Sequence, residues 1–205
     1  MKRLLNILIT LILVLGNGIY SHAAKSATSI LDNTAKTFTS PASVTVKFSL
    51  SGATSGMGQM TMSKQKFTFS AGDMSVWYDG KSQWALQRSA GEVNLTNPTA
   101  DELAESNPFA ILSAYRSLYN AKLISSTKTA YTIELTAKHR HSQIKKAILT
   151  ISPNKYQLMS IKATLSDNST LSVKVTSFSP GKALPASYFQ YNAHSNPSVK
   201  IIDLR

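Results

Sequence analysis

The chain has 205 residues, enough for one domain that buries a core of its own, and carries 22 Lys and Arg against 10 Asp and Glu, a net charge of +12. It contains no cysteine, which excludes thiol catalysis, thiolate metal sites and a disulfide scaffold. The positive balance favours anionic partners such as acidic glycans or membrane head groups, but it is dispersed, with only "KHR" and "KK" between residues 138 and 146 forming a small basic cluster.

Lys2 and Arg3 open the chain, Leu4 to Gly16 follow as an uncharged apolar run, and Ser21 and Ala23 occupy small-residue positions. That order predicts a secretory signal peptide over residues 1–23, cleaved near 23/24, with one domain over 24–205. The apolar run is shorter than the roughly 20 residues a membrane span needs. Export as a soluble protein is the expectation, and it argues against nucleic acid as the partner.

From Ser26 to Phe38, residues Ile30, Leu31, Thr34, Ala35 and Phe38 fall on one side of a helix that Pro41 closes. "VTVKFSL" then alternates strictly, placing Val44, Val46, Phe48 and Leu50 on one strand face. "QMTMS" and "KFTFS" alternate through Met60, Met62, Phe67 and Phe69. "MSVWY" and "SQWALQ" flank Asp79-Gly80, a pair suited to a tight hairpin because its backbone needs positive φ. Trp77 and Trp84 stand at unequal distances from that pair, so they need not share a face: Trp84 is assigned to the apolar lining and Trp77 to the other side. "EVNL" is one more short strand.

The period changes in the middle. Thr99 and Glu102 have capping-box spacing, predicting a helix start, with Asp101, Glu102 and Glu105 favouring its dipole. "NPF", Asn107 to Phe109, breaks that helix and restarts it as "FAILSAYRSLY". Strands resume with "AYTIELTA", which turns Tyr131, Ile133 and Leu135 to one face, then "IKKAILTIS", "LMSIKATL" and "TLSVKVTSF". "SYFQY" and "VKIIDL" close the chain. About ten short antiparallel strands with one apolar face must curl to bury it, which predicts a barrel or half-barrel with the helices over its concave side.

Catalytic patterns are poor. His139 and His141 have strand spacing but no nearby acid to complete a zinc site. "SPGK", Ser179 to Lys182, lacks phosphate-loop spacing, and no G-x-S-x-G occurs. The expectation is a binding protein without catalytic residues, metal or cofactor. Met57, Met60, Met62, Met74 and Met159 are many for one curved sheet, and flexible thioethers suit either an irregular core or an adaptable apolar surface.

The order of motifs then carries a family resemblance. A leading helix, "GQMTM", "FTF", "YDGKSQW" (Tyr78 to Trp84), "NPFAIL" (Asn107 to Leu112) and an ending with Phe189, Pro197, Val199 and Asp203 resemble the LolA family of periplasmic lipoprotein carriers. The likeness runs over almost the whole mature chain. It implies a mainly β (α+β) fold, a curved antiparallel sheet forming an unclosed β-barrel, with an N-terminal helix and an inserted helical lid over an apolar cavity.

On that fold the lining is expected at Val46, Phe48, Met60, Met62, Phe67, Phe69, Val76, Trp84 and Leu86, and the lid at Phe109, Leu112 and Tyr115. The implied cargo is acylated lipoproteins, received by a monomeric carrier from an inner-membrane ABC transporter, touching the membrane surface transiently, and delivered to an outer-membrane acceptor. One departure stands out: where the family commonly has an Arg-Pro pair that helps hold the lid, this chain has "SKQKF", with Lys64 and Lys66. A lysine is a point charge rather than a planar fork. Two other readings remain open: an envelope lipid or glycolipid carrier or lipid sensor on the same fold, and a sugar-binding module using Trp77 and Trp84 as stacking platforms.

Overall fold

The computed structural model describes residues 25–99, 102–103, 107, 109–195 and 197–205. The expected leader and its cleavage point lie outside the described residues, as do Asp101 and Glu105 in the predicted helix start.

Helix α1, Ala27–Thr39, begins where Ser26 accepts a hydrogen bond from the Ser29 N–H at 3.1 Å, satisfying one of the donors a helix start leaves unpaired. It buries the stripe Ile30, Leu31, Thr34 and Phe38. Thr34 sits on that apolar stripe without cost to the core because its hydroxyl donates to the Ile30 carbonyl at 2.9 Å.

Six strands follow: β1 (Ser43–Gly52), β2 (Gly56–Ser63), β3 (Lys66–Ala71), β4 (Met74–Tyr78), β5 (Gln83–Gln87) and β6 (Glu92–Thr96). Helix α2, Ile111–Leu118, precedes five more: β7 (Tyr119–Ser126), β8 (Tyr131–Ala137), β9 (Ile144–Ile151), β10 (Leu158–Leu165) and β11 (Thr170–Gly181). A 3₁₀ turn at Ala186–Phe189, a second at Ala193–Ser195 and strand β12, Lys200–Asp203, complete the chain.

The twelve strands among the described residues form one curved, unclosed sheet in the order β12-β6-β5-β4-β3-β2-β1-β11-β10-β9-β8-β7. Every pairing is antiparallel except β12 with β6. Two wings of successive hairpins thus meet where long β1 pairs with long β11, and a register shift between Lys47 and Phe48 bends that seam.

The alternation read from the sequence decides which face is buried. Val44, Val46, Phe48 and Met60 have no exposed surface, and Ile133, Leu135, Ala147, Leu149 and Ile151 on the other wing are equally covered. These side chains, with α1 and α2, make one continuous core. The helix-covered face is called inner below. One glycine is obligatory there: at Gly58, opposite Phe48, an added methyl carbon would lie 2.4 Å from the Phe48 ring. The absent side chain lets that ring lie flat over β2.

Three sequence expectations change. Strand β7 is additional to the expected set: the helical spacing continues to Tyr119, yet the helix itself ends at Leu118 and passes directly into the sheet. "SYFQY" is a 3₁₀ turn rather than a strand, following Pro185. The Asp79-Gly80 hairpin has a four-residue loop, since Tyr78 pairs with Gln83, and Gly80 takes φ +100° within it.

Candidate functional site

The inner face is not uniformly filled. Between α1, the β2–β3 turn, β4 and α2 lies an apolar cavity of about 430 Å³, within the roughly 300–1,000 Å³ typical of small-ligand sites. Phe38 of α1, Met62 of β2, Phe67 of β3, Phe109 just before α2 and Leu112 within it provide its walls. Lys64 and Lys66 stand at its border around the β2–β3 turn, Lys64 with φ +56°. Cationic side chains beside an apolar opening suit a ligand with an apolar tail and a polar or anionic head.

The helical cover is clamped by one carboxylate. Asp32 of α1 accepts the Tyr115 hydroxyl at 2.7 Å and the Arg116 guanidinium at 2.5 Å, both from α2. The Tyr115 hydrogen bond, then Arg116, holds the Asp32 carboxyl below its usual range, while burial and the Asp32 contact push the Tyr115 phenol up to about 12. The start of α1 is pinned separately, by the Lys25 ammonium donating to Tyr131 at 3.0 Å and Tyr156 at 2.7 Å. Helix α2 has only eight residues and no side-chain cap at Ala110, so its position depends on packing and on Asp32 rather than on its own stability.

The predicted lining residues divide into groups. Met62 and Phe67, with Phe109 and Leu112 from the lid set, border the cavity beneath the helices. Val46, Phe48, Met60 and Val76 lie on the same inner face but are fully packed in the core. Phe69 borders a second inner-face cavity, nearer the β1–β2 hairpin tip. Tyr115, assigned to the lid, is buried between the helices and serves the Asp32 clamp.

Trp84 borders neither cavity and requires correction, whereas Leu86 borders one of them from the opposite strand face. Trp84 pairs directly with Trp77, and Leu86 with Ser75, whereas the inward Val76 has Ala85 as its partner. Side chains alternate along a strand, so both tryptophans and Leu86 belong to the outer face. Leu86 still borders the second cavity, because it sits on the strand between the inward Ala85 and Gln87. The two tryptophans are indeed at unequal distances from Asp79-Gly80, but cross-strand pairing sets them directly opposite each other, and their side chains point the same way.

The outer face at this wing is covered by the C-terminal segment. Phe189 is 1% exposed, and Tyr191 meets Trp77 edge-on with ring centroids 5.3 Å apart. Asp79 fixes the crossing: one carboxylate oxygen accepts the Lys81 and Ser82 N–H groups, and the other accepts Gln190 Nε2 at 3.1 Å. Burial alone would raise the Asp79 carboxyl, but those hydrogen bonds outweigh it and hold it below the usual value. The Asp-Gly hairpin therefore also anchors the chain's end.

Elsewhere, Thr99 and Glu102 form the capping box, with the Thr99 N–H donating to Glu102 at 2.7 Å and the Glu102 N–H to Thr99 Oγ1 at 3.3 Å. His139 and His141 are exposed in the β8–β9 turn, and among the described residues no three His, Asp or Glu side chains group as metal ligands. Lys146 of the basic cluster pairs with Glu134 at 2.7 Å on the outer face. No helix among the described residues is long and apolar enough to cross a membrane.

A single curved sheet wrapped on two helices, with apolar cavities left on its inner face, is the architecture of a binding and carrier fold. The chain belongs to the family of the outer membrane lipoprotein carrier protein LolA, whose family model matches residues 17–167. Its fold is similar to that of an uncharacterized conserved protein from Thermus thermophilus, with a TM-score of 0.61 and 10% identity over 87% of this chain and 99% of that one. A LolA superfamily protein from Nitrosomonas europaea is also similar, with a TM-score of 0.44 and 11% identity over 82% of this chain and 99% of the other. No curated protein matches the chain by sequence.

Proposed function

We propose that this protein is a periplasmic carrier that binds the acyl chains of lipoproteins on its inner face and takes them from the inner towards the outer membrane. The observation that carries this reading is the apolar cavity beneath α2, bordered by Phe67, Phe109 and Leu112. An acyl anchor loses about 0.8 kcal/mol for each methylene left in water. A dry concave surface offsets that loss without covalent chemistry, so the cargo can be released again. The cavity of about 430 Å³ is small for a multi-acyl anchor, so loading requires α2 to lift away from α1, and the Asp32 contacts are what that movement breaks. In this scheme residues 1–23 direct export, an inner-membrane lipoprotein-releasing ABC transporter loads the carrier, and the lysines beside the opening favour anionic membrane surfaces.

The test is to purify the protein from its native envelope under mild conditions and identify by mass spectrometry what accompanies it. Acylated lipoproteins are expected. Free lipids alone would favour an envelope lipid or glycolipid carrier on the same fold. An empty protein that also binds no fluorescent fatty-acid probe would overturn both.

A further inference from the structure

The second inner-face cavity, of about 500 Å³, lies at the opposite end of the β1–β6 wing from α2. Its origin is readable in side-chain volume. Along β3 the inward residues run Phe67, Phe69, Ala71, and the inward partner of Val76 on β5 is Ala85. Gly58 faces Ala71 from β2. Small residues thus replace aromatic ones toward the hairpin tip, while Leu50 and Phe69 supply apolar walls. Met74, inward by register opposite Ala71 and Gln87, is 48% exposed at the edge of this space. A flexible thioether there can fold over an apolar guest.

Between the two cavities stands a partition of rings. Phe48 stacks on Phe69 at 5.7 Å and meets Phe109 edge-on at 5.4 Å. Phe67 borders the cavity under α2 and Phe69 borders the other, two strand residues or about 6.6 Å apart. Gly58 is what lets Phe48 occupy this dividing position.

We propose that the inner face holds two separate acyl-chain sites, one under α2 and one between Ala71, Met74 and Ala85, divided by Phe48 and Phe69. The protein is thereby matched to ligands with at least two acyl chains, one chain to each side of the partition. The proposal rests on the acyl-carrier reading and adds to it the number and position of the sites. Asn94 and Gln87 border the second site and offer amide groups to the ester end of a chain, while the Asp73 carboxylate at the same border is engaged by the Ser89 N–H and hydroxyl.

The test uses palmitate with the full-length mature protein, counted by native mass spectrometry. Two palmitates are expected for the unaltered chain and one for Ala71→Trp, whose indole fills the second site. Ala85→Phe, two strands away, gives the same halving and serves if Ala71→Trp does not fold by circular dichroism. In the unaltered protein, palmitate with a terminal diazirine is expected to label Met74. One palmitate in the unaltered chain, or two retained in both variants, overturns the second site while leaving the carrier reading intact. No palmitate at all overturns both.

Discussion

The two faces of the β3–β6 wing are built from the same strands and serve opposite ends. The inner face alternates Phe67, Phe69, Ala71 on β3 with Val76, Tyr78 and Ala85 beyond it, and is left incompletely filled so that cavities remain. The outer face carries Trp77, Trp84 and Leu95, and the C-terminal segment covers it with Phe189 and Tyr191. The two tryptophans thus lie on the face that the C-terminal segment covers, where a space of about 420 Å³ remains beside Trp77 and Tyr191. The inner face instead sets Phe67 and Phe69 beside the smaller Ala71 and Ala85.

Substitutions on the two faces sharpen that contrast. The largest effect is expected from Phe48→Ala, which removes a fully buried ring and leaves a cavity, costing about 3–5 kcal/mol. Chemical denaturation would measure it. Leu95→Ala, opposite Trp84 on the outer face, should cost about 2–4 kcal/mol in the same assay, yet leave the affinity for an acyl probe unchanged. Met62→Glu reverses that pattern. Met62 is only partly buried and borders the cavity, so a charge there is tolerated by the fold but should weaken a fluorescent fatty acid at least about tenfold, the equivalent of about 1.4 kcal/mol. If Leu95→Ala weakens the probe as much as Met62→Glu does, the division of labour between the faces is wrong.

The helix clamp gives a pH-dependent prediction. Asp32 is held below its unfolded pKa of about 3.9. Its contribution is therefore fully present above that value and is lost as pH falls through the depressed folded pKa. The side chain is 40% exposed and its Arg116 partner 63%, so solvent screens the ion pair and the Tyr115 bond matters more. Asp32→Asn should flatten the stability profile below about pH 4 and speed probe exchange at neutral pH. The smallest effect is expected from Gln190→Ala, which frees one hydrogen bond to Asp79, worth about 0.5–1.5 kcal/mol, and should leave probe binding untouched.

The contrast also explains how far the sequence could be read. Strict alternation in "VTVKFSL", "KFTFS" and "YTIEL" identifies the buried face, because a half-covered strand has period two, and the pairings of β1 with β2, β2 with β3 and β8 with β9 run without a register shift. The helix stripe Ile30, Leu31, Thr34, Phe38 is equally plain. Strand β7 is hidden because α2 runs into it at Tyr119 with no Gly, Pro or Asn between them, and its residues are mostly exposed at the sheet edge. Trp84 is easily misplaced because its bulk resembles a cavity lining, whereas its face depends on cross-strand register through a loop of unknown length. The Asp32 clamp is out of reach of the sequence: its partners lie more than 80 residues away, and no local spacing announces them. Division of the inner face into two cavities is likewise a property of packing, visible only once Gly58 and Phe48 are seen to face each other.

The most direct test places a photo-crosslinking amino acid, p-benzoylphenylalanine, at position 62 or at position 84 in the living cell. A carrier of acyl chains on the inner face predicts cross-links from position 62 to acylated lipoproteins and none from position 84. Cross-links to lipoproteins from position 84, with none from 62, would contradict the account.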